Sequence, residues 1–220
     1  RFEVFNLELG EGLAESYLLG RDEDEYDHTC HHLMVLHEGV VVGTYRLQTR
    51  ELSDAGRGFY SATEFDLSRL ADSVLGQGVE VGRACVAREH RGGSVLSMLW
   101  QGLSRYLSWH NKRYLFGCCS VTTTDRWVGR VLHEHLSQAG VMDPEHFVEP
   151  LSALECLSDT TTGPPPPIPP LFEGYLKLGA RVCGPPAIDR LFGTVDFFVL
   201  LDLEQITPRA KRFLRVGNWQ

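Results

Sequence analysis

The sequence predicts a single α/β (α+β) domain in which helices flank a mixed β-sheet, and three observations carry that prediction. The composition, 43% hydrophobic and 23% charged over 220 residues, is that of a chain able to bury one compact core. β-Rich runs alternate with segments of helical period from one end to the other. No internal repeat occurs, and no run of about 18 apolar residues exists, so neither a membrane-spanning helix nor a secretory signal is expected.

Each element follows from local pattern. Val4, Phe5, Leu7, Leu9, Leu13, Tyr17 and Leu18 recur at helical spacings, and the acidic, turn-prone run from Arg21 to Asp27 closes that helix. His32 to His37 and Val40 to Gln48 are β-rich runs separated by Glu38-Gly39, which predicts an antiparallel hairpin. Val79 to Ala87 is a third strand. After it Leu96, Leu99, Trp100, Leu103 and Leu107 share one face of a helix of about four turns. Arg113 to Val121 is a fourth strand, and Arg126 to Gln138 a second long helix. Asp159 to Pro170 holds six prolines and reads as an extended connector, part of a proline-rich connector or lid over 143–171. Gly174 to Cys183 and Thr194 to Leu203 are predicted as two more strands. The chain opens at Arg1 in the middle of an amphipathic segment, so a first strand is expected upstream of a single domain spanning 1–220.

Charge and cysteine usage narrow the function. Twenty-one Lys and Arg against twenty-nine Asp and Glu leave a net charge of −8, which argues against a nucleic-acid partner. Six scattered cysteines without a C-x-x-C pair predict a reducing, cytoplasmic compartment. His31-His32 and His133-Glu134-His135 lack the i, i+4 spacing of a helical metal site, so no metal is predicted. Cys118-Cys119 lie in an apolar strand as packing residues, and Trp100, Trp109 and Trp127 read as core or pocket wall.

The most informative segment runs from Glu80 to Trp100. Gly92-Gly93 between a strand and a helix N-terminus lets backbone N–H groups approach an anion such as phosphate, although any sheet-to-helix junction can look the same. It is neither a Walker loop nor a dinucleotide fingerprint. A regular strand would part Glu80 from Arg83, whereas a bulge around Val81-Gly82 would bring them together.

Here a family resemblance enters. Arg91-Gly92-Gly93 resembles the acyl-carrier site of the GNAT N-acyltransferases in a degenerate form, with Ser94 and Leu96 where that pattern prefers Gly and Gly or Ala. Asp24-Glu25-Tyr26-Asp27, Gly43-Thr44-Tyr45-Arg46-Leu47 and Val79-Glu80-Val81-Gly82-Arg83 are similar, in order, to the motifs of the acyl-homoserine-lactone synthase branch. Phe59 to Leu67, Leu99 to Leu103, Leu115 to Val121 and Gly174 to Ala180 resemble the ornithine-lipid N-acyltransferases and N-acyl amino acid synthases, often called hemolysin-like. The likeness covers nearly the whole chain.

The resemblance implies a GNAT-like, mostly antiparallel mixed sheet, and transfer of a fatty acyl group from acyl carrier protein to the α-amino group of an amino acid such as ornithine. Nothing is expected to stay bound as a cofactor: the donor would be the acyl-phosphopantetheine of acyl carrier protein, with acyl-CoA as the alternative. On this reading Glu80 takes the amine proton, Arg83 orients Glu80 or binds the acceptor carboxylate, and Ser120 or Thr122 protonates the leaving thiolate. Cys85 and Val86 would offer backbone N–H groups to the thioester oxygen, and Arg91, Gly92, Gly93 and Ser94 would hold the pantetheine phosphate. Asp24, Asp27 and Arg46 match the acceptor-side and loop-ordering residues of the lactone-synthase branch. Two rivals are a homoserine-lactone-type signal synthase and a non-catalytic acyl or pantetheine binding module. Arg88, Arg91, Arg105, Lys112 and Arg113 form a basic segment suited to an acidic carrier protein. Arg209, Lys211, Arg212 and Arg215 form a second one, suited to the carrier or to a peripheral contact on the inner membrane face.

Overall fold

Residues 1–156 and 165–215 are described by a computed structural model, in which seven strands form one sheet. β1 (His31–His37) and β2 (Val40–Thr49) make the expected hairpin. Glu38 and Gly39 both sit at positive φ, 50° and 81°, the two-residue turn whose twist suits paired strands. β3 (Gly78–Val86) runs antiparallel to β2, and β4 (Tyr114–Val121) runs parallel to β3. The short strands β5 (Arg181–Val182) and β6 (Ala187–Asp189) pair with β7 (Thr194–Asp202), which lies antiparallel to β4. All pairings except β3 with β4 are antiparallel, as the resemblance implied.

The helices in chain order are α1 (Ala14–Leu19), α2 (Arg50–Ala55), α3 (Asp72–Gly76), α4 (Val95–Trp109), α5 (Arg126–Gln138), α6 (Pro170–Leu178) and α7 (Pro208–Leu214). Strand alternation sorts the core into two layers. Leu115, Cys119, Phe197 and Val199 face the layer that includes Leu99, Leu103 and Phe172 of α4 and α6. Phe116, Phe198 and Leu200 face the opposite layer, with Phe59, Phe65 and Val74.

Several expectations need correction. The N-terminal helix is two pieces, a π-helical segment Glu3–Leu9 and α1, parted where Gly10 and Gly12 adopt φ of 68° and 93°. Gly174 to Cys183 is mostly helix: α6 starts at Pro170, stops at Gly179 (φ 111°), and only Arg181–Val182 is strand. Its apolar face, Leu171, Phe172, Tyr175 and Leu178, has helical spacing, but the strand reading began at Gly174 and cut off its first turn. Within the predicted connector, 157–164 lie outside the described residues, and Pro170 already belongs to α6. Trp100 is buried as expected, whereas Trp109 is 70% exposed and lies against the Arg105 guanidinium. Among the described residues no helix is long and apolar enough to cross a membrane.

Candidate active site

The site begins where two strands part. β3 and β4 pair only from Gly78↔Tyr114 to Glu80↔Phe116, although β3 continues to Val86 and β4 to Val121. The next residue, Gly117, has φ 158°, and a Cβ there would lie 2.3 Å from the Val81 carbonyl oxygen. Only glycine lets the strands cross this closely before diverging. A cavity of about 560 Å³ occupies the gap. Leu99, Leu115 and Phe172 from one layer line it, and so do Glu64, Glu80 and Asp196 from the other. The cavity therefore passes through the sheet, apolar on the α4 and α6 side and acidic on the opposite side.

A bulge is present, two residues beyond its expected place. Thr44↔Cys85 gives way to Arg46↔Gly82, so Arg83 and Ala84 together oppose Tyr45, and Arg83 takes φ 49°. Among the described residues it does not join Arg83 to Glu80. Both oxygens of Glu80 instead accept backbone N–H groups, from Tyr60 and from Ser61, each at 2.7 Å. These donors open a single 3-10 turn, Tyr60–Thr63. Burial raises the Glu80 carboxyl above its ordinary value, and the bonds to Ser61 and Tyr60 oppose that rise.

Arg83 points into a separate network with the acidic loop. Its Nη2 donates to Asp24 at 2.9 Å, and its guanidinium lies 4.3 Å from the Phe192 ring centroid. Arg46 donates to Asp24 at 2.5 Å and to Asp27 at 3.2 Å. Asp24 and Asp27 close a capping box on the turn Glu25–His28, which explains how the loop is ordered. Arg1 and Asp22, which the motif reading missed, complete the network: Arg1 binds Asp27 twice at 2.8 Å and Asp22 at 2.5 Å. Burial works against the Asp27 charge, but the hydrogen bonds from Arg1 and the Asp24 backbone N–H, with the Arg1 and Arg46 charges, together outweigh it and hold that carboxyl well below its usual range. Arg46 and Arg83 line the cavity; Asp24 and Asp27 support them from behind.

The proposed donor residues are only partly assembled. Ala87 donates to Val42 at 2.8 Å, so the pleat turns the Cys85 N–H toward β2 and the Val86 N–H toward the cavity. Of that pair only Val86 is oriented to donate. Its carbonyl, facing the same way, accepts from Arg91 Nε at 3.0 Å. Arg91, Gly92 and Gly93 line the cavity beside the start of α4, with Gly92 at φ 73°. Ser94 occupies the N-cap position of α4 without a side-chain cap and does not line the cavity. Ser120 lines it next to its β7 partner Asp196, whereas Thr122 is hydrogen-bonded to Glu11. Cys118 also lines the cavity, yet burial raises its thiol well above the ordinary value, as suits a packing residue.

The basic segment is divided. Lys112 at the far end of α4 binds Glu51 at 2.7 Å and the Gly76 carbonyl at 2.8 Å, while Arg113 binds Asp202. A 15-residue helix at about 1.5 Å per residue separates them from Arg88 and Arg91 by roughly 22 Å.

Sequence reasoning also missed an acidic trio. Glu64, Asp189 and Asp196 each place a carboxylate oxygen within 4.8 Å of the others, a geometry that could hold a cation. They are scattered over 133 positions and share no motif; only the sheet brings them together.

Residues 1–101 match the family described as acetyltransferase (GNAT) domain. A CoA-dependent acyl-homoserine lactone synthase, BjaI, solved with SAM and isopentyl-CoA, aligns over 98% of this chain and 77% of its own at 16% identity and a TM-score of 0.49. L-ornithine N(alpha)-acyltransferase of Brucella abortus is 33% identical over 95% of this chain and 80% of its own length. The Agrobacterium fabrum protein of the same name is 34% identical over 95% and 77%. At that identity and coverage the chain is an acyltransferase of GNAT fold and belongs to the L-ornithine N(alpha)-acyltransferase family.

Proposed function

We propose that this protein transfers a fatty acyl group from the phosphopantetheine thioester of acyl carrier protein to the α-amino group of L-ornithine. The observation that carries the reading is the cavity through the sheet, apolar on one side and acidic on the other, with Glu80 where the strands part. The acyl chain lies on the apolar side, against Leu99, Leu115 and Phe172. The pantetheine arm runs along the unpaired edge of β3, with its phosphate at the backbone of Arg91, Gly92 and Gly93, the Arg91 guanidinium itself being held by Glu8 and the Val86 carbonyl. The acceptor enters from the acidic side.

In the reaction, Glu80 takes one proton from the α-ammonium, directly or through water. Its bonds to the Tyr60 and Ser61 backbone and to the Ser61 hydroxyl still leave a carboxylate lone pair free to take that proton. The amine nitrogen then forms a bond to the thioester carbon, whose oxygen is polarised by the Val86 N–H. The C–S bond breaks as the carbonyl reforms, the second amine proton leaves to solvent or Glu80, and the thiolate takes a proton from the Ser120 hydroxyl, which regains one from water in the same step. Arg83, which lines the cavity and is held from behind by Asp24 and Asp22, receives the acceptor carboxylate. The exposed Arg88 at the cradle meets the acidic carrier, with Arg91 beside it paired to Glu8, and the exposed cations Arg209 and Arg212 of α7 supply any peripheral contact with anionic lipid. Six free thiols suit the reducing cytoplasm.

The test is to incubate the purified full chain and L-ornithine with acyl-loaded carrier protein or with acyl-CoA, and to identify the product by mass spectrometry. An Nα-acylornithine formed faster from the carrier supports the proposal. Faster reaction with CoA overturns the carrier assignment, and absence of amide with both donors overturns the reaction.

A further inference from the structure

Six acidic side chains are buried among the described residues, and four of them are compensated. Asp22 meets Arg1, Asp202 meets Arg113, Glu80 takes two backbone N–H groups, and Glu11 takes the Thr122 hydroxyl. The exceptions, Glu64 and Asp196, lie next to each other. Glu64 is 3% exposed and both of its oxygens lack a hydrogen-bond partner; Asp196 is 2% exposed and its Oδ1 lacks one. Thr194 donates to Asp196 at 2.7 Å, while Asp189 accepts from the Tyr60 hydroxyl at 3.1 Å and from the Leu191 and Phe192 backbone N–H groups at 2.8 Å, which leaves Glu64 and one oxygen of Asp196 unsatisfied. Among the described residues no Lys or Arg forms an ion pair with Glu64, Asp189 or Asp196. A buried carboxylate cluster without a counter-charge is costly, and here all three members line the cavity.

We infer that Glu64, Asp189 and Asp196 form a subsite for a second ammonium group, the side-chain ammonium of a basic amino acid acceptor. The inference rests on the acyl-transfer reading above. An ammonium carries three N–H donors on a compact charge, one for each carboxylate, and stays protonated and unreacted there. A calcium ion would need six to eight oxygens and magnesium about six, more than the trio supplies. Position supports the same ligand. The 3-10 turn Tyr60–Thr63 holds Glu80 at its N-terminal end, and Glu64 caps its C-terminal end. At about 2 Å per residue the turn is roughly 8 Å long, so the two carboxylates are set apart along one rigid support. An acceptor whose α-amine is at Glu80 reaches the trio only if its side chain is an extended alkyl chain ending in a cation. Selection of ω-ammonium amino acids is thus attributed to the trio, and proton removal to Glu80.

The experiment compares kcat/KM of the full chain for L-ornithine and L-norvaline, which has the same carbon chain without the terminal amine. Wild type is expected to favour ornithine at least 100-fold. Glu64→Gln and, separately, Asp196→Asn should each lower that preference at least tenfold, mainly through KM for ornithine. An unchanged preference in the folded variants overturns the subsite, as does a wild type that takes norvaline equally well; in both cases acyl transfer itself stands. If wild type acylates no amine, the reaction falls and the subsite with it. Thermal denaturation of wild type tests the same point without a variant. Ornithine, and not norvaline, should raise Tm. Equal shifts overturn the subsite, and so does stabilisation by magnesium or calcium chloride that ornithine competes away.

Discussion

Glu80 accepts the backbone N–H of Tyr60 at 2.7 Å, and through this bond a strand residue fixes the turn that forms one wall of the cavity. A side chain placed to take a proton is thereby also a structural post. Its two roles require separate measurement.

Glu80→Gln keeps the shape but removes the base and sets an amide NH2 against one of the two backbone donors. The expected loss in kcat is about 10² to 10⁴-fold, and the unpaired donor should lower stability by about 1–3 kcal/mol. Single-turnover rates at saturating amine, with urea denaturation of the same preparation, separate the effects. A folded variant within tenfold of the wild-type rate would remove Glu80 from proton transfer.

Arg83 combines a buried guanidinium with φ 49°, a conformation that costs a side-chain-bearing residue about 1–2 kcal/mol. Arg83→Ala and Arg83→Gly both lose the contact with Asp24, but only glycine relaxes the backbone. The Gly variant should therefore be the more stable of the two by about 1 kcal/mol. Equal denaturation midpoints would show that the bulge relaxes on losing the guanidinium.

Gly117→Ala tests the parting of the strands. The added Cβ would lie 2.3 Å from the Val81 carbonyl, a backbone atom that cannot move without shifting β3. A loss of about 2 kcal/mol or more in stability is expected, with weakened donor binding by calorimetry. Wild-type stability in this variant would mean that the strands can separate further without cost.

How much of this was legible in the sequence depends on how local each signal was. The hairpin, the long helices α4 and α5, and the strands β3, β4 and β7 follow from turn chemistry and periodicity within a few residues. Asp24, Asp27 and Arg46 came from motifs, and they do share one network. Arg1 was missed because it belongs to no local pattern, and α6 was misread because its helical period shows only when Leu171 and Phe172 are included. The acidic trio is least legible: Glu64 follows a 3-10 turn and Asp189 and Asp196 sit on different strands, so only tertiary pairing reveals them. The bulge was misplaced because Gly82 looked the natural site for it, while the ion pair to Asp24 holds Arg83 in a conformation its own preferences disfavour.

The trio also sets a pH dependence of stability. Burial, with the neighbouring carboxylates, raises Asp196 to about 6, and raises Glu64 above its ordinary value. Tyr60 and Cys118, which face the same cluster, are pushed up by burial and stay neutral below pH 7. A carboxyl raised on folding binds its proton more tightly in the folded chain, so its contribution is fully present below the unfolded value near 4 and is lost as pH rises through about 6. The carboxyls held low, such as Asp27 and Asp202, titrate below that window and have the opposite slope there. Glu11 and Glu80 are also raised and add to the same slope, so the variant rather than the absolute curve isolates the effect. Asp196→Asn cannot ionise. Urea denaturation of wild type and variant at pH 4, 5, 6 and 7 should show the stability difference moving steadily in favour of the variant as pH rises. A difference that stays flat across that range would mean that Asp196 is ionised in the folded chain at pH 4, and that the cluster already holds a compensating cation.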